Sequence, residues 1–189
     1  MKYDPDKHHR KSIRLKGYDY CRPGKYFITI CTYQRECLFG EILDRKILLN
    51  EYGKIAINCW QAIPEHFPRI QLDLFVIMPN HIHGILVITE NHRHKIINRR
   101  DMALPCPYRG EFGKPIPGSL PTIIGSFKSA VTKKINLFRN TVGNKIWQKN
   151  YYEHIIRNED SLAKIRQYIK NNPLSWENDQ LHPNNPSKW

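Results

Sequence analysis

Two apolar, β-branched runs facing each other across a Met-Pro-Asn turn, helix-periodic segments before and after them, and a last short β run predict an α+β fold. In order the segments read β-α-β-β-α-β with an added C-terminal helix. This is the ferredoxin-like (split βαβ) layout, an antiparallel sheet with two crossover helices. Fold class alone does not give function, because RNA-binding modules share this order.

Residues 1–24 form a basic arm in which Lys7, Arg10, Lys11, Arg14 and Lys16 lie close together. The first strand is expected over 25–33 (KYFITICTY), rich in β-branched and aromatic residues and entered through Pro23-Gly24. From Arg45 to His66, apolar residues at Ile47, Leu48, Tyr52, Ile55, Ala56, Cys59, Trp60 and Ile63 recur at helical spacing. A hairpin follows at 71–78 and 82–89, and both its runs are apolar on both faces, as suits central strands covered on each side. Residues 91–118 lose periodicity and are rich in Pro, Gly and charge, which predicts a long basic loop. A second helix is expected over 120–138 with Ser119 as N-cap, and a short strand over 150–156. The last helix should start near Asn158 and stop before Pro173, since the residue preceding proline disfavours the α region. One domain over 25–173 results, with a polar tail at 174–189.

Composition narrows the function classes. A chain of 189 residues with 40% hydrophobic content suits one soluble domain, and no run reaches the ~18 apolar residues of a membrane helix. The basic N-terminus has no apolar run behind it, so a secretory signal is not expected and a cytoplasmic location is. Five cysteines, odd in number and without a Cys-x-x-Cys pair, argue against a disulfide framework and a thiolate zinc site. Thirty Lys and Arg against seventeen Asp and Glu leave a formal +13. That excess favours a polyanionic partner, nucleic acid ahead of an anionic membrane.

His81-Ile82-His83 is the first group with chemistry in it. Residues two apart on a strand share a face, so both imidazoles project together as a half-site for a divalent metal. A second pair, His92 and His94, lies in the polar loop and reads as solvated. The alternative for His81 and His83 is a buried polar core, but two buried imidazoles without partners are costly. The second group is Tyr168 and Asn172, four apart and so on one helix face. An amide oxygen can complete a metal site begun by two histidines, with the phenol one turn away. The bland alternative is a packed tyrosine and a helix C-cap. Tyr151 and Tyr152 compete for the tyrosine role, although adjacency on a strand sends them to opposite faces.

The segments Ser12–Phe39, FVIMPNHIHGIL (Phe75–Leu86), SLPTIIGSFKSAVTKKIN (Ser119–Asn136) and IWQKNYYEHIIRNEDSLAKIRQYIKNNP (Ile146–Pro173) cover most of the chain. They resemble the REP-associated tyrosine transposases, relatives of the single-tyrosine HUH transposases of small bacterial insertion sequences. The resemblance implies that His81 and His83 are paired metal ligands, Asn172 the third ligand and Tyr168 the nucleophile. It implies Mg²⁺ or Mn²⁺ as cofactor, and single-stranded or hairpin DNA cleaved and rejoined through a covalent 5′-phosphotyrosine. Insertion-sequence relatives carry glutamine where this chain has Asn172, so the shorter side chain must bring its helix closer.

Around that centre, Lys128, Lys133 and Lys134, with Arg10, Lys11 and Arg14 of the arm, are candidate DNA-phosphate contacts. His154 and Arg157 are candidates for the scissile phosphate, His154 equally for a hydrogen-bonded structural role. A non-catalytic nucleic-acid-binding module of RNA-recognition-like topology explains the sheet and the charge but not the His-x-His and Tyr-x3-Asn pairings. A hydrolase using metal-bound water is the third reading. Monomer and homodimer are equally compatible with the sequence.

Overall fold

The computed structural model describes residues 15, 17–90 and 116–185. The arm residues Arg10, Lys11 and Arg14, and nearly all of the 91–118 loop, lie outside the described residues. The elements are β1 (Gly24–Cys31), β2 (Gly40–Leu43), β3 (Lys46–Leu49), α1 (Glu51–Gln61), α2 (Ile63–His66), β4 (Ile70–Ile77), β5 (His81–Ile88), α3 (Leu120–Phe138), β6 (Tyr152–Ile156) and α4 (Glu159–Asn171). A 3-10 turn, Pro173–Asn178, follows α4.

Four strands form one antiparallel sheet in the order β4-β5-β1-β6. That is the split-βαβ arrangement, with α1 and α3 as the crossovers. One expectation needs correcting: β4 is an edge strand, and only β5 of the hairpin is central. The apolar character of β4 is explained by helices packing on it, since α1, α2 and α4 all contact it.

The helix expected from Arg45 is also shorter at its start. Residues 46–49 pair with 40–43 as a hairpin, Leu43 opposite Lys46. Asp44 and Arg45 both take positive φ (48° and 62°), the backbone of a two-residue turn that matches strand twist. The helix begins only after Asn50, whose Oδ1 accepts from the Gly53 amide at 3.0 Å. Ile47 and Leu48 therefore fitted a helical period by accident, because a short apolar run does not distinguish the two periods.

The other helices start where their sequence signals lie. Ser119 precedes α3, with Pro121 in the first turn. Asn158 caps α4, accepting from Ser161 N at 2.8 Å, and Glu159 and Asp160 complement the helix dipole.

Alternation divides the sheet into two faces. Tyr26, Ile28 and Ile30 of β1, with Ile82, Leu86 and Ile88 of β5, join Trp60 of α1 and Ile123, Phe127 and Val131 of α3 in the main core. The opposite face carries Phe27, Ile85 and Ile156 under Leu162 and Ile169 of α4. This second layer is thinner, and polar pairs supplement it. Arg166 of α4 donates twice to Asp73 of β4 (3.0 and 2.6 Å), and Lys25 meets Glu159 at 2.6 Å.

Residues 174–185, the described part of the polar tail expected over 174–189, fold back against the sheet end, burying Trp176, Asp179 and Leu181. Among the described residues no helix is long and apolar enough to cross a membrane.

Candidate functional site

β5 places His81 and His83 on the α4 side of the sheet, both buried, with ring centroids 4.5 Å apart. β1 lies alongside, Cys31 opposite His81 and Thr29 opposite His83. Each imidazole is gripped through Nδ1. His83 Nδ1 is 2.8 Å from Thr29 Oγ1, and His81 Nδ1 is 2.7 Å from Asn80 Oδ1. Burial holds both rings neutral, pushing the pKa of His81 down to about 4 and that of His83 well below the ordinary value.

α4 brings Tyr168 over the pair. The side chain is 43% exposed, yet its hydroxyl turns inward and lies 3.1 Å from His83 Nε2. Phe27 supports both rings, stacked on His83 at 5.3 Å and edge-on to Tyr168 at 6.0 Å. Burial, and then the Asp179 charge, push the phenol up to about 12, so it is protonated at neutral pH. Asn172, the C-cap residue of α4, is buried and keeps right-handed backbone (φ −58°, ψ −44°). Its Nδ2 donates to Asp179 Oδ2 at 2.9 Å.

Asp179 was not found from the sequence. It follows the 3-10 turn, is buried, and its Oδ1 accepts from Leu181 N at 2.6 Å. Its carboxylate and the ring nitrogens of His81 and His83 all lie within 4.8 Å of one another. Trp176 backs the group, its ring 6.1 Å from that of His81. The local sequence, Glu-Asn-Asp-Gln, has no periodicity to reveal this; Trp176 and Leu181 flanking a polar stretch were the only signal.

The chemistry of the donor set fits a divalent cation. His81 Nε2 and Asn172 Oδ1 are buried with no hydrogen-bond partner, a costly condition that a cation would relieve. Two imidazoles, a carboxylate and an amide oxygen are the mixed nitrogen and oxygen ligands that first-row divalent ions accept.

The remaining sequence candidates are dispersed. Tyr152 and His154 of β6 are exposed on the same sheet face as the histidines, and Tyr152 lies 6.4 Å from Phe27 between ring centroids. Tyr151 is buried in the main core. Arg157 is exposed beyond β6. Lys133 and Lys134 are exposed on α3, which packs on the face opposite the histidines. The Lys128 ammonium donates to the carbonyls of Gln148 (2.6 Å), Asn150 (3.3 Å) and Lys149 (3.5 Å), clasping the segment that leads into β6.

No protein-family model matches the chain. The fold is nonetheless that of a tyrosine transposase: the structure of a REP-associated tyrosine transposase bound to a REP hairpin superposes with a TM-score of 0.57 at 17% identity, over 94% of this chain and 91% of that one. The chain is also similar in sequence to a protein of that name. A Haemophilus influenzae protein assigned to that group is 24% identical over 156 residues, 82% of this chain and 73% of that one. This chain belongs to one family with an uncharacterized protein of Haemophilus influenzae, 44% identical over 182 residues, 96% of this chain and 97% of the other.

Proposed function

We propose that this chain is a metal-dependent transposase that cleaves and rejoins single-stranded or hairpin DNA through a covalent 5′-phosphotyrosine at Tyr168. The observation that carries the reading is the Tyr168 hydroxyl 3.1 Å from His83 Nε2, beside a buried donor cluster with two orphaned atoms. His81, His83 and Asn172, joined by Asp179, would hold Mg²⁺ or Mn²⁺. A divalent ion there supplies Lewis acidity, drawing charge from the phosphate oxygens and from the attacking phenol.

The chain's own groups do the rest. α4, fixed by Leu162, Ile169 and the Arg166–Asp73 pair, presents Tyr168 Oη at the open side of the cluster. Oη forms a bond to phosphorus as the bond from phosphorus to the 3′-oxygen breaks. The phenolic proton passes to solvent, and the departing 3′-oxygen takes one up. The reverse attack by a 3′-hydroxyl rejoins DNA without ATP, because the phosphodiester is exchanged and not hydrolysed. The 5′ polarity follows the family resemblance. A hairpin substrate is supported by the REP hairpin bound to the relative of like fold, and by the +13 charge. Tyr152 and His154, on the same face at the sheet edge, are suited to receive the strand.

Labelled hairpin DNA incubated with Mn²⁺ and run on a denaturing gel tests the reading. Wild type should give a nick and a protein–DNA adduct, and Tyr168→Phe neither. Cleavage without an adduct would mean hydrolysis by metal-bound water. Binding without cleavage would mean a recognition module. An adduct that survives Tyr168→Phe but not Tyr152→Phe would move the nucleophile to β6.

A further inference from the structure

Asn80, the last residue of the turn before His81, is 1% exposed and both its side-chain polar atoms are engaged. Its Nδ2 donates to the carbonyl of Leu181 at 2.7 Å and to that of Arg35 at 3.2 Å. Its Oδ1 faces His81 Nδ1 at 2.7 Å. A carbonyl oxygen only accepts, so the two main-chain carbonyls decide which end of the amide is NH₂. With the NH₂ end fixed, the oxygen must face the ring, and Nδ1 of His81 must carry the proton. The lone pair of the neutral imidazole is then on Nε2, the buried atom with no partner, turned toward Asp179 and Asn172.

The geometry points to Asn80 as a positioning residue: anchored by the Leu181 and Arg35 carbonyls, it holds His81 in the Nδ1–H tautomer and so keeps the Nε2 lone pair directed into the donor cluster. Leu181 lies in the folded-back segment that also supplies Asp179, so that segment contributes both a carboxylate and, through Asn80, the form of a ring it does not carry. In its consequence for metal binding the inference rests on the proposed metal site; in its statement about the tautomer it does not. Conserving a metal ligand's tautomer through its other nitrogen is a general way of tuning affinity, and losing it costs on the order of 10–100-fold.

The test reads the metal-free protein first. ¹⁵N-histidine labelling and imidazole ¹H–¹⁵N correlation spectra at neutral pH distinguish the two tautomers, and the His81 signal is identified by its absence from His81→Ala. Wild type should show Nδ1–H. Asn80→Ala, which removes the acceptor facing Nδ1, should shift His81 toward Nε2–H. Calorimetric titration with Mn²⁺ alone should then show affinity reduced about 10–100-fold in Asn80→Ala. An Nε2–H signal for His81 in wild type overturns the inference without need of any variant. Unchanged tautomer and unchanged Mn²⁺ affinity in a folded Asn80→Ala overturn it equally. Nδ1–H in a wild-type protein that binds no Mn²⁺ would uphold the relay and defeat the metal reading of the site.

Discussion

Gly84 directly follows the histidine pair on β5, and replacing it with alanine offers a quantitative test of how the sheet is packed. The backbone there is extended, paired with Ile28 on one side and Phe75 on the other, so alanine brings no conformational penalty. The difficulty is Trp60. A Cβ added at Gly84 overlaps Trp60 Cζ2 and comes within 3.0 and 3.1 Å of Cη2 and Cε2. Carbon contacts settle at about 3.5–4.0 Å, so the indole or the strand must yield by about 1 Å. Trp60 is fully buried, with Phe127 edge-on at 5.1 Å and Phe75 at 5.9 Å, which leaves little room to retreat. Overpacking of this kind costs about 1–3 kcal/mol, and the rigid surroundings argue for the upper half. Urea unfolding followed by circular dichroism measures it, as a lower midpoint at unchanged slope. Trp60→Phe removes the offending ring atoms, so the double variant should recover about 1–2 kcal/mol relative to additivity. A loss below about 0.5 kcal/mol for Gly84→Ala, or additivity within about 0.3 kcal/mol in the cycle, would refute the packing argument.

Three further outcomes are expected. In the metal-free protein the two site histidines have folded pKa values below their unfolded value, that of His81 at about 4, so in the window below about 6.5 the unfolded chain binds protons that the folded one refuses. Stability is therefore complete above that window and falls as the pH drops through it, by about 1.4 kcal/mol per pH unit for each ring; urea midpoints at pH 7 and 5 should diverge in wild type and converge in a His81→Gln, His83→Gln variant. Asp179→Asn retains size but removes the charge facing the imidazoles, and calorimetry should show Mn²⁺ affinity lowered at least about tenfold; unchanged affinity would exclude the carboxylate as a ligand. Lys128→Ala should lose about 1–3 kcal/mol of stability, because three carbonyls lose a charged donor. The salt slope of DNA binding should not change in that variant, whereas a phosphate contact would reduce it by about 0.7 on single strands.

The parts of the fold that could be read from sequence were those with strong local signals. Asn158 before Glu159 and Asp160, Pro173 after Asn172, and the long period from Leu120 to Phe138 each fixed a helix end. His81 and His83 were legible because a strand period of two puts them together whatever the tertiary fold. The β2–β3 hairpin was not, because Asp44-Arg45 is a weaker turn signal than Asn-Gly and its strands are four residues each. Thr29, Asn80 and Asp179 were missed for a different reason. Their meaning lies in what they touch across the chain, 54 residues from Thr29 to His83 and 101 from Asn80 to Leu181, and no local pattern carries that information.

Those long separations bear on when the site comes into being. β1 emerges from a ribosome first, yet its neighbours in the sheet are β5 and β6, and the donor cluster closes only with Asp179. Topologies dominated by distant pairings fold late and slowly, since loop closure precedes the contacts that stabilise it. A growing or truncated chain that stops at Pro173 has the histidines, the tyrosine and the helix that bears it, but no Asp179 and no Leu181 carbonyl to orient Asn80. The donor cluster is thus a product of the whole described chain, assembled from β5, α4 and the segment after the 3-10 turn, and its geometry is complete only when the last of these is in place.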